Sequence, residues 1–305
     1  MQFEHVDPDN PIETVIRVAG LRGEVVLAHI TDTHISEADG REPAAVTETA
    51  RLEPMYAKHV PDGLSTGQMF ERLMARAREI RADCTVLTGD IVNYPSLAGI
   101  ERVVRAVAGR EYLFTLGNHD WHFLYHPWND ATRQAHYPRF HGLTGGNPAF
   151  GVRVMRGVRL VALDNSMYQV SPAQLEFLRA QLAFGDPCFL FIHIPIYIPS
   201  LVPKVMQVWQ APIMMGAEGE WTGETRAKWM VGDVEESTRD CLALLRGAEN
   251  LGGIFCGHVH FAHADRVGAG CVQYVTRAGM EGGFRKVRIL GMGKSSADCV
   301  VLVSV

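Results

Sequence analysis

The sequence predicts an α/β protein, and three observations carry that expectation. Short apolar runs alternate with stretches of helical periodicity along the 305 residues. Hydrophobic content of 47% and charged content of 21% are those of a soluble chain with material for a sizeable core. Five of the apolar runs also end in side chains that bind metal ions: Asp32 and His34, Asp90, Asn118 and His119, His193, and His258 and His260. With no internal repeat, low-complexity tract or obvious linker, residues 1–305 read as one domain.

Taken in order, Glu24 to Ile30 (EVVLAHI) reads as a buried strand that runs into Thr31-Asp32-Thr33-His34. Phe70, Leu73, Met74, Ala77 and Ile80 recur near helical spacing, which predicts an amphipathic helix over 68–81. Cys84 to Thr88 is a second strand, ending at Gly89-Asp90. Leu97, Ile100, Val103, Val104 and Val107 share one face of a helix over 96–108. Glu111 to Leu116 is a third strand, ending at Gly117-Asn118-His119-Asp120. Residues 121–148, rich in His, Trp, Tyr, Pro and Gly, read as a long irregular loop, and such a loop in a compact domain points to function.

A hairpin follows, 150–155 and 159–163, turning at Arg156-Gly157. Ser171-Pro172-Ala173-Gln174 has the form of a capping box with proline at the first helical position, opening a helix to about Phe184. Cys188 to Ile192 is another buried strand and delivers His193. The stretch 194–225 has prolines, methionines and tryptophans without clear period, and reads as an insert or lid. A helix over 233–245 precedes a strand over 253–256, which ends at Gly257-His258-Val259-His260. Three β-like runs close the chain: 271–276, 284–290 and 298–303.

The net charge of −5 disfavours a broad electrostatic grip on nucleic acid or on an acidic membrane surface. A small phosphate ester stays open as a partner, because bound metal ions reverse the local potential. No run approaches the roughly 18 apolar residues of a membrane span. The opening MQFEHVDPDNPIETVIRV lacks a basic start and an apolar core, so no signal peptide is expected. The six cysteines are scattered without C-x-x-C spacing, which fits buried reduced thiols and a cytoplasmic location. Homo-oligomerisation stays open.

The strand-end residues point to chemistry. In open α/β sheets, sites form beyond the carboxyl ends of the strands, so residues distant in sequence converge there. In extended segments, residues two apart face the same side, which pairs Asp32 with His34 and His258 with His260. Gly89, Gly117 and Gly257 are expected to permit the tight turns that aim these side chains. Carboxylate, amide oxygen and imidazole together suit Mn, Fe, Zn or Co better than Ca or a thiolate-bound Zn. Asp90 is the natural shared carboxylate for two ions roughly 3.5–4 Å apart. Such a pair clamps phosphoryl oxygens and lowers the pKa of a bridging water, so that hydroxide forms near neutral pH.

Asp32-x-His34, Gly89-Asp90, Gly117-Asn118-His119-Asp120, His193 and Gly257-His258-x-His260 resemble the complete motif set of the calcineurin-like metallophosphoesterases, in family order from about residue 25 to 262. The resemblance implies a four-layer αββα sandwich, two mixed sheets flanked by helices, with two divalent or trivalent transition-metal ions at one edge. By motif position, Asp32, His34, Asp90 and His260 would hold one ion, and Asp90, Asn118, His193 and His258 the other. His119 would orient the phosphate or protonate the leaving alkoxide, and Asp120 is taken with it as a catalytic candidate. Asn93 stands where the family's protein phosphatases carry a second Asp, and Tyr94 falls one place too late for the metal-binding Tyr of purple acid phosphatases. Thr31-Asp32-Thr33-His34 and Gly89-Asp90-Ile91-Val92-Asn93 are instead similar to the bacterial class III cyclic-nucleotide and glycerophosphodiester phosphodiesterases. The expectation is phosphodiester cleavage, with a non-catalytic scaffold or a dinuclear nuclease as alternatives.

Other features have plainer readings. His5, His29, His59 and His136 are expected to be surface or packing residues. Trp121, His122, His126 and Trp128 either line a substrate pocket or fold onto one another. Met206, Met214 and Met215, with Trp209, Trp221 and Trp229, could form an adaptable pocket wall or a subunit contact, and ordinary packing is the plainer reading. Gly63-Leu64-Ser65-Thr66-Gly67 fits the G-x-S-x-G pattern but lacks a buried strand before it, so it reads as a surface turn before the next helix. Gly293-Lys294-Ser295 lacks the first glycine of a phosphate-binding loop and also reads as a turn.

Overall fold

The computed structural model describes residues 1–292, and the expected run 298–303 and the turn at 293–295 lie outside them. In chain order the strands are β1 (Phe3–Val6), β2 (Glu13–Val18), β3 (Glu24–Ile30), β4 (Cys84–Thr88), β5 (Tyr112–Thr115) and β6 (Phe150–Met155). They continue with β7 (Val158–Leu163), β8 (Cys188–Phe191), β9 (Leu251–Cys256), β10 (His263–Arg266), β11 (Val272–Val275) and β12 (Arg285–Gly291). The helices are α1 (Pro43–Ala57), α2 (Thr66–Glu79), α3 (Leu97–Val107), α4 (Asp130–His136), α5 (His141–Thr144), α6 (Pro172–Ala183), α7 (Val202–Trp209), α8 (Gly223–Trp229) and α9 (Glu236–Gly247).

Two mixed six-stranded sheets form, ordered β1-β2-β12-β3-β4-β5 and β10-β11-β9-β8-β7-β6. In the first, β3, β4 and β5 run parallel, while β12 is antiparallel to β3. In the second, β7, β8, β9 and β11 run parallel between antiparallel edges. Leu27, Val86 and Leu113 of the first sheet meet Leu160, Phe189 and Phe255 of the second in one apolar layer. Met69, Phe70 and Val103 of α2 and α3 cover the outer face of the first sheet, and Leu178 and Leu242 of α6 and α9 that of the second. The αββα expectation therefore holds.

A polar thread crosses the apolar layer below the strand ends. His29 Nε2 lies 2.7 Å from the Thr88 hydroxyl, and its Nδ1 lies 2.8 Å from that of Thr276, which accepts in turn from Arg285 Nε at 2.9 Å. His29 is thus a packing residue, fully buried. Burial first, then the charge of Arg285, lower its pKa from 6.5 to about 3. The unfolded chain therefore binds a proton there that the folded chain refuses. The stability His29 contributes is complete above about pH 6.5 and is lost as the pH falls toward 3. We expect His29→Gln to flatten the acid limb of the unfolding free energy by about 1.4 kcal/mol per pH unit, one proton's worth. Urea midpoints measured across that window check this, and an unchanged slope would refute it.

Several elements depart from expectation. The Gly63–Gly67 pattern is the expected turn leading into α2, but Ser65 and Gln68 form a reciprocal capping box, so the helix opens two residues before 68. Residues 121–148 contain the short helices α4 and α5, and α4 is capped by the Asn129 side chain. The 194–225 stretch holds α7 and the start of α8. The hairpin is as expected, with Arg156 and Gly157 both at positive φ, 49° and 78°, which matches the twist of the strands.

Candidate metal centre

The Asp and His residues expected to bind metal gather beyond the carboxyl ends of β3, β4, β8 and β9, and Asn118, beyond β5, lines a cavity beside His119. Ligand atoms of Asp32, His34 and His260 lie within 4.8 Å of one another, as do those of His34, Asp90 and His119, and those of Asp90, His193 and His258. The three groups overlap at His34 and Asp90. Asp90 Oδ1 accepts the His119 backbone N–H at 2.8 Å, which leaves Oδ2 between His193 Nε2 at 3.2 Å and His34 Nε2 at 3.9 Å. Asp32 Oδ2 accepts from the Thr31 hydroxyl and the His258 backbone N–H, while Oδ1 lies 3.3 Å from His260 Nε2.

The way these side chains are aimed differs from the alternation of an extended strand. Asp32, His34, Asp90, His258 and His260 all have φ between 46° and 70°. Left-handed backbone costs about 1–3 kcal/mol at a non-glycine residue, and Asp and His tolerate it better than most. The loops are held in that form by Asp32 N–H donating to Gly89 O at 3.0 Å and His34 N–H to Asp90 O at 2.9 Å. Of the three glycines, only Gly89 has positive φ. Gly117 and Gly257 are needed for close approach instead: a Cβ on Gly117 would collide with Asp90, and one on Gly257 with Thr31 and Asp32.

Neighbouring groups fix the ring orientations. His193 Nδ1 sits 2.9 Å from Thr88 O, so it carries the proton and turns Nε2 to Asp90. Tyr168 OH lies 3.0 Å from His258 Nε2, which turns Nδ1 of that ring toward His193 at 3.2 Å. His119 Nδ1 lies 3.3 Å from the Asn93 carbonyl, so the main chain of Asn93 orients this ring although the second Asp is absent. Asp120 does not face the cleft. Its oxygens accept the backbone N–H groups of Asp90, Gly117 and Val92 at 2.7–2.9 Å. The expected catalytic role of Asp120 is therefore replaced by a positioning one, since three amides occupy its carboxylate.

The electrostatics match a cation site. Burial opposes ionisation of Asp32 and Asp90, yet His260 beside the first and His193 beside the second hold both carboxyls below their usual range. Burial also disfavours charge on His193, but Asp90 outweighs it and pushes the ring up to about 10. Burial lowers His34 and His258 to about 3, the neutral form that a metal ion requires. Burial and the charge of Asp90 push Asp120 up to about 8 against the pull of its amide donors. Asn118 Oδ1 is buried with no hydrogen-bond partner, and imidazole nitrogens face each other at 3.2 and 3.3 Å. Positive ions would satisfy all of these groups, so the residues fit transition metals.

Residues 25–262 match the model of the calcineurin-like phosphoesterases. The chain belongs to that family. A phosphoesterase relative, the cAMP/cGMP dual specificity phosphodiesterase MT0825 of Mycobacterium tuberculosis, is 26% identical over 79% of this chain, in keeping with the class III branch. The chain spans only 63% of that relative's length. A dimetal phosphatase from Danio rerio shares the fold at TM-score 0.52 and 12% identity, covering 84% of this chain and 88% of its own. A purple acid phosphatase from yellow lupin seeds does so at 0.52 and 11%, covering 88% of this chain and 46% of its own. β1, β2 and β12 lie outside the matched segment, yet complete the first sheet.

Sequence reasoning missed Tyr56, Tyr168 and Asn165. The last accepts the N–H groups of His193 and Ile194 at 3.1 and 3.0 Å and so fixes the loop after β8. Its signal was present, because β7 also ends in polar residues, Asp164-Asn165-Ser166. Trp121 is buried in the core, whereas His122 and Trp128 line a cavity of about 180 Å³ beside Asn118 and His119. Trp229, Met230 and Lys228 form its far wall.

Proposed function

We propose that this phosphoesterase is a phosphodiesterase holding two transition-metal ions, Mn, Fe, Zn or Co, and acting on a small phosphate diester. The observation that carries this reading is the position of Asp90 Oδ2 between His34 and His193. Asp32, His34, Asp90 and His260 would hold one ion, and Asp90, Asn118, His193 and His258 the other. Such ions supply Lewis acidity and lower the pKa of water. His119 would protonate the departing alkoxide from the Nε2 that its Asn93 contact leaves free. Asp120 would hold Asp90 and the Gly117 turn in register.

The alcohol arm would lie in the cavity beyond His119, against Trp128, Trp229 and Met230. A screen of metal-reconstituted protein against cyclic nucleotides, glycerophosphodiesters, nucleotide diphosphates and simple monoesters tests the reading. Cyclic nucleotides head the panel because the mycobacterial relative is named for them. We expect close to two metal ions per chain and the highest kcat/KM on diesters. Fully folded protein that takes up no metal, or that prefers monoesters, would overturn it. No helix among the described residues is long and apolar enough to cross a membrane.

A further inference from the structure

The site has one wall that none of the family motifs supplies. α1 lies between the first motif and α2, and its Leu52 and Ala45 pack on Tyr94 and Phe123. This packing places Tyr56, near the carboxyl end of α1, over the metal centre. Its ring lies 4.8 Å from the His34 ring at a tilt of 34°, and 6.2 Å from the His119 ring at 79°. Tyr94, the tyrosine next to the Gly89-Asp90 motif, is turned away: it is buried, bonded to the Thr49 hydroxyl and stacked on Phe123.

We propose that Tyr56 is a further catalytic residue, whose phenol donates a hydrogen bond to a non-bridging oxygen of the phosphoryl group at the metal centre. The inference rests on the phosphoesterase reading of that centre. Three features carry it beyond simple packing. The ring bridges the two imidazoles that flank the reacting group, one a metal ligand and one the proposed acid. A phenolic O–H can donate to an anionic oxygen without bringing a charge of its own. A neutral donor also suits a site rich in acceptors: the carboxylates of Asp32 and Asp90 bring only oxygen lone pairs toward the centre. A phosphate oxygen arriving there needs donors that those residues do not provide.

Tyr56→Phe keeps the ring and removes only the hydroxyl, so it separates donation from packing. With the metal-loaded protein we expect kcat on an aryl phosphodiester to fall roughly 10²-fold, the usual loss of one donor aimed at developing charge. Metal content should stay at the unmutated level. Calorimetric titration with inorganic phosphate should show binding weakened about tenfold, a readout that does not depend on turnover. Unchanged kcat and phosphate affinity in Tyr56→Phe, with metal lost in Tyr56→Leu, would show that the ring only packs on His34 and would overturn the proposal. A visible charge-transfer band in iron-loaded protein that disappears in Tyr56→Phe would make Tyr56 a ligand, and would overturn it equally. If no phosphoester is turned over but phosphate binding still depends on the hydroxyl, the phosphodiesterase reading fails and the role of Tyr56 stands.

Discussion

Asp90→Asn is expected to lower kcat/KM on an aryl phosphodiester by at least about a thousandfold, equivalent to roughly 4 kcal/mol of transition-state stabilisation. The size follows from the two jobs of this carboxylate. Oδ1 fixes the His119 main chain at 2.8 Å, and Oδ2 faces His193 and His34 from one point. An asparagine can keep the first contact through its carbonyl oxygen. It then presents an NH₂ group to His193, and it lacks the charge that both proposed ions would share. Metal content should therefore fall together with activity. Plasma emission analysis of the purified variant, beside its kinetics, measures both. Full metal content with undiminished kcat/KM would remove Asp90 from the centre of the site.

Much of this site was legible because its proposed ligands sit where strands stop. A buried parallel strand must be apolar throughout, so a carboxylate or imidazole at its carboxyl end stands out in sequence. Asp32, Asp90, Asn118, His193 and His258 all carry that contrast, and so does Asn165, which was passed over. The local backbone was not legible. Asp32, His34 and Asp90 take left-handed φ where hydrogen bonds join the β3 and β4 loops, and His258 takes it where its N–H meets the Asp32 carboxylate; no residue pattern announces pairings between segments so far apart. Gly117 and Gly257 looked like turn residues, yet they are fixed by what lies opposite them, Asp90 in one case and Thr31 with Asp32 in the other.

Short elements escaped for a different reason. Helices of four and seven residues, such as α5 and α4, are too brief to show a period, so 121–148 read as irregular. α1 buries only Ala45, Glu48 and Leu52 fully and contains Pro54, which leaves no apolar stripe to detect. Tyr56 was missed for that reason. β1 and β2 escaped because strand patterns that short compete poorly with a turn-rich opening such as DPDNP. The same limit applies to Asp120, whose place in the Asn-His-Asp motif pointed to catalysis while its carboxylate is held by amides.

Asp120→Ala is accordingly expected to damage the fold and the metal centre together. The aspartate is fully buried and accepts from the N–H groups of Asp90, Gly117 and Val92. Burial and the charge of Asp90 push this carboxyl up, but both of its oxygens take N–H donors, an arrangement that fits the ionised form. Removing it leaves three buried donors without an acceptor, at about 1–3 kcal/mol each, with the smaller values apt where the loops can relax toward water. We expect a loss of at least about 3 kcal/mol, which for a domain of this size lowers Tm by roughly 5 °C or more. Saturating Mn should restore part of it, since ions binding only the folded chain stabilise by mass action. Asp120→Asn, which keeps one acceptor oxygen, should fall between. Unfolding midpoints with and without metal decide the matter, since an alanine variant as stable as the unmutated protein, with the same metal affinity, would show that the amides find other partners and that Asp120 positions nothing.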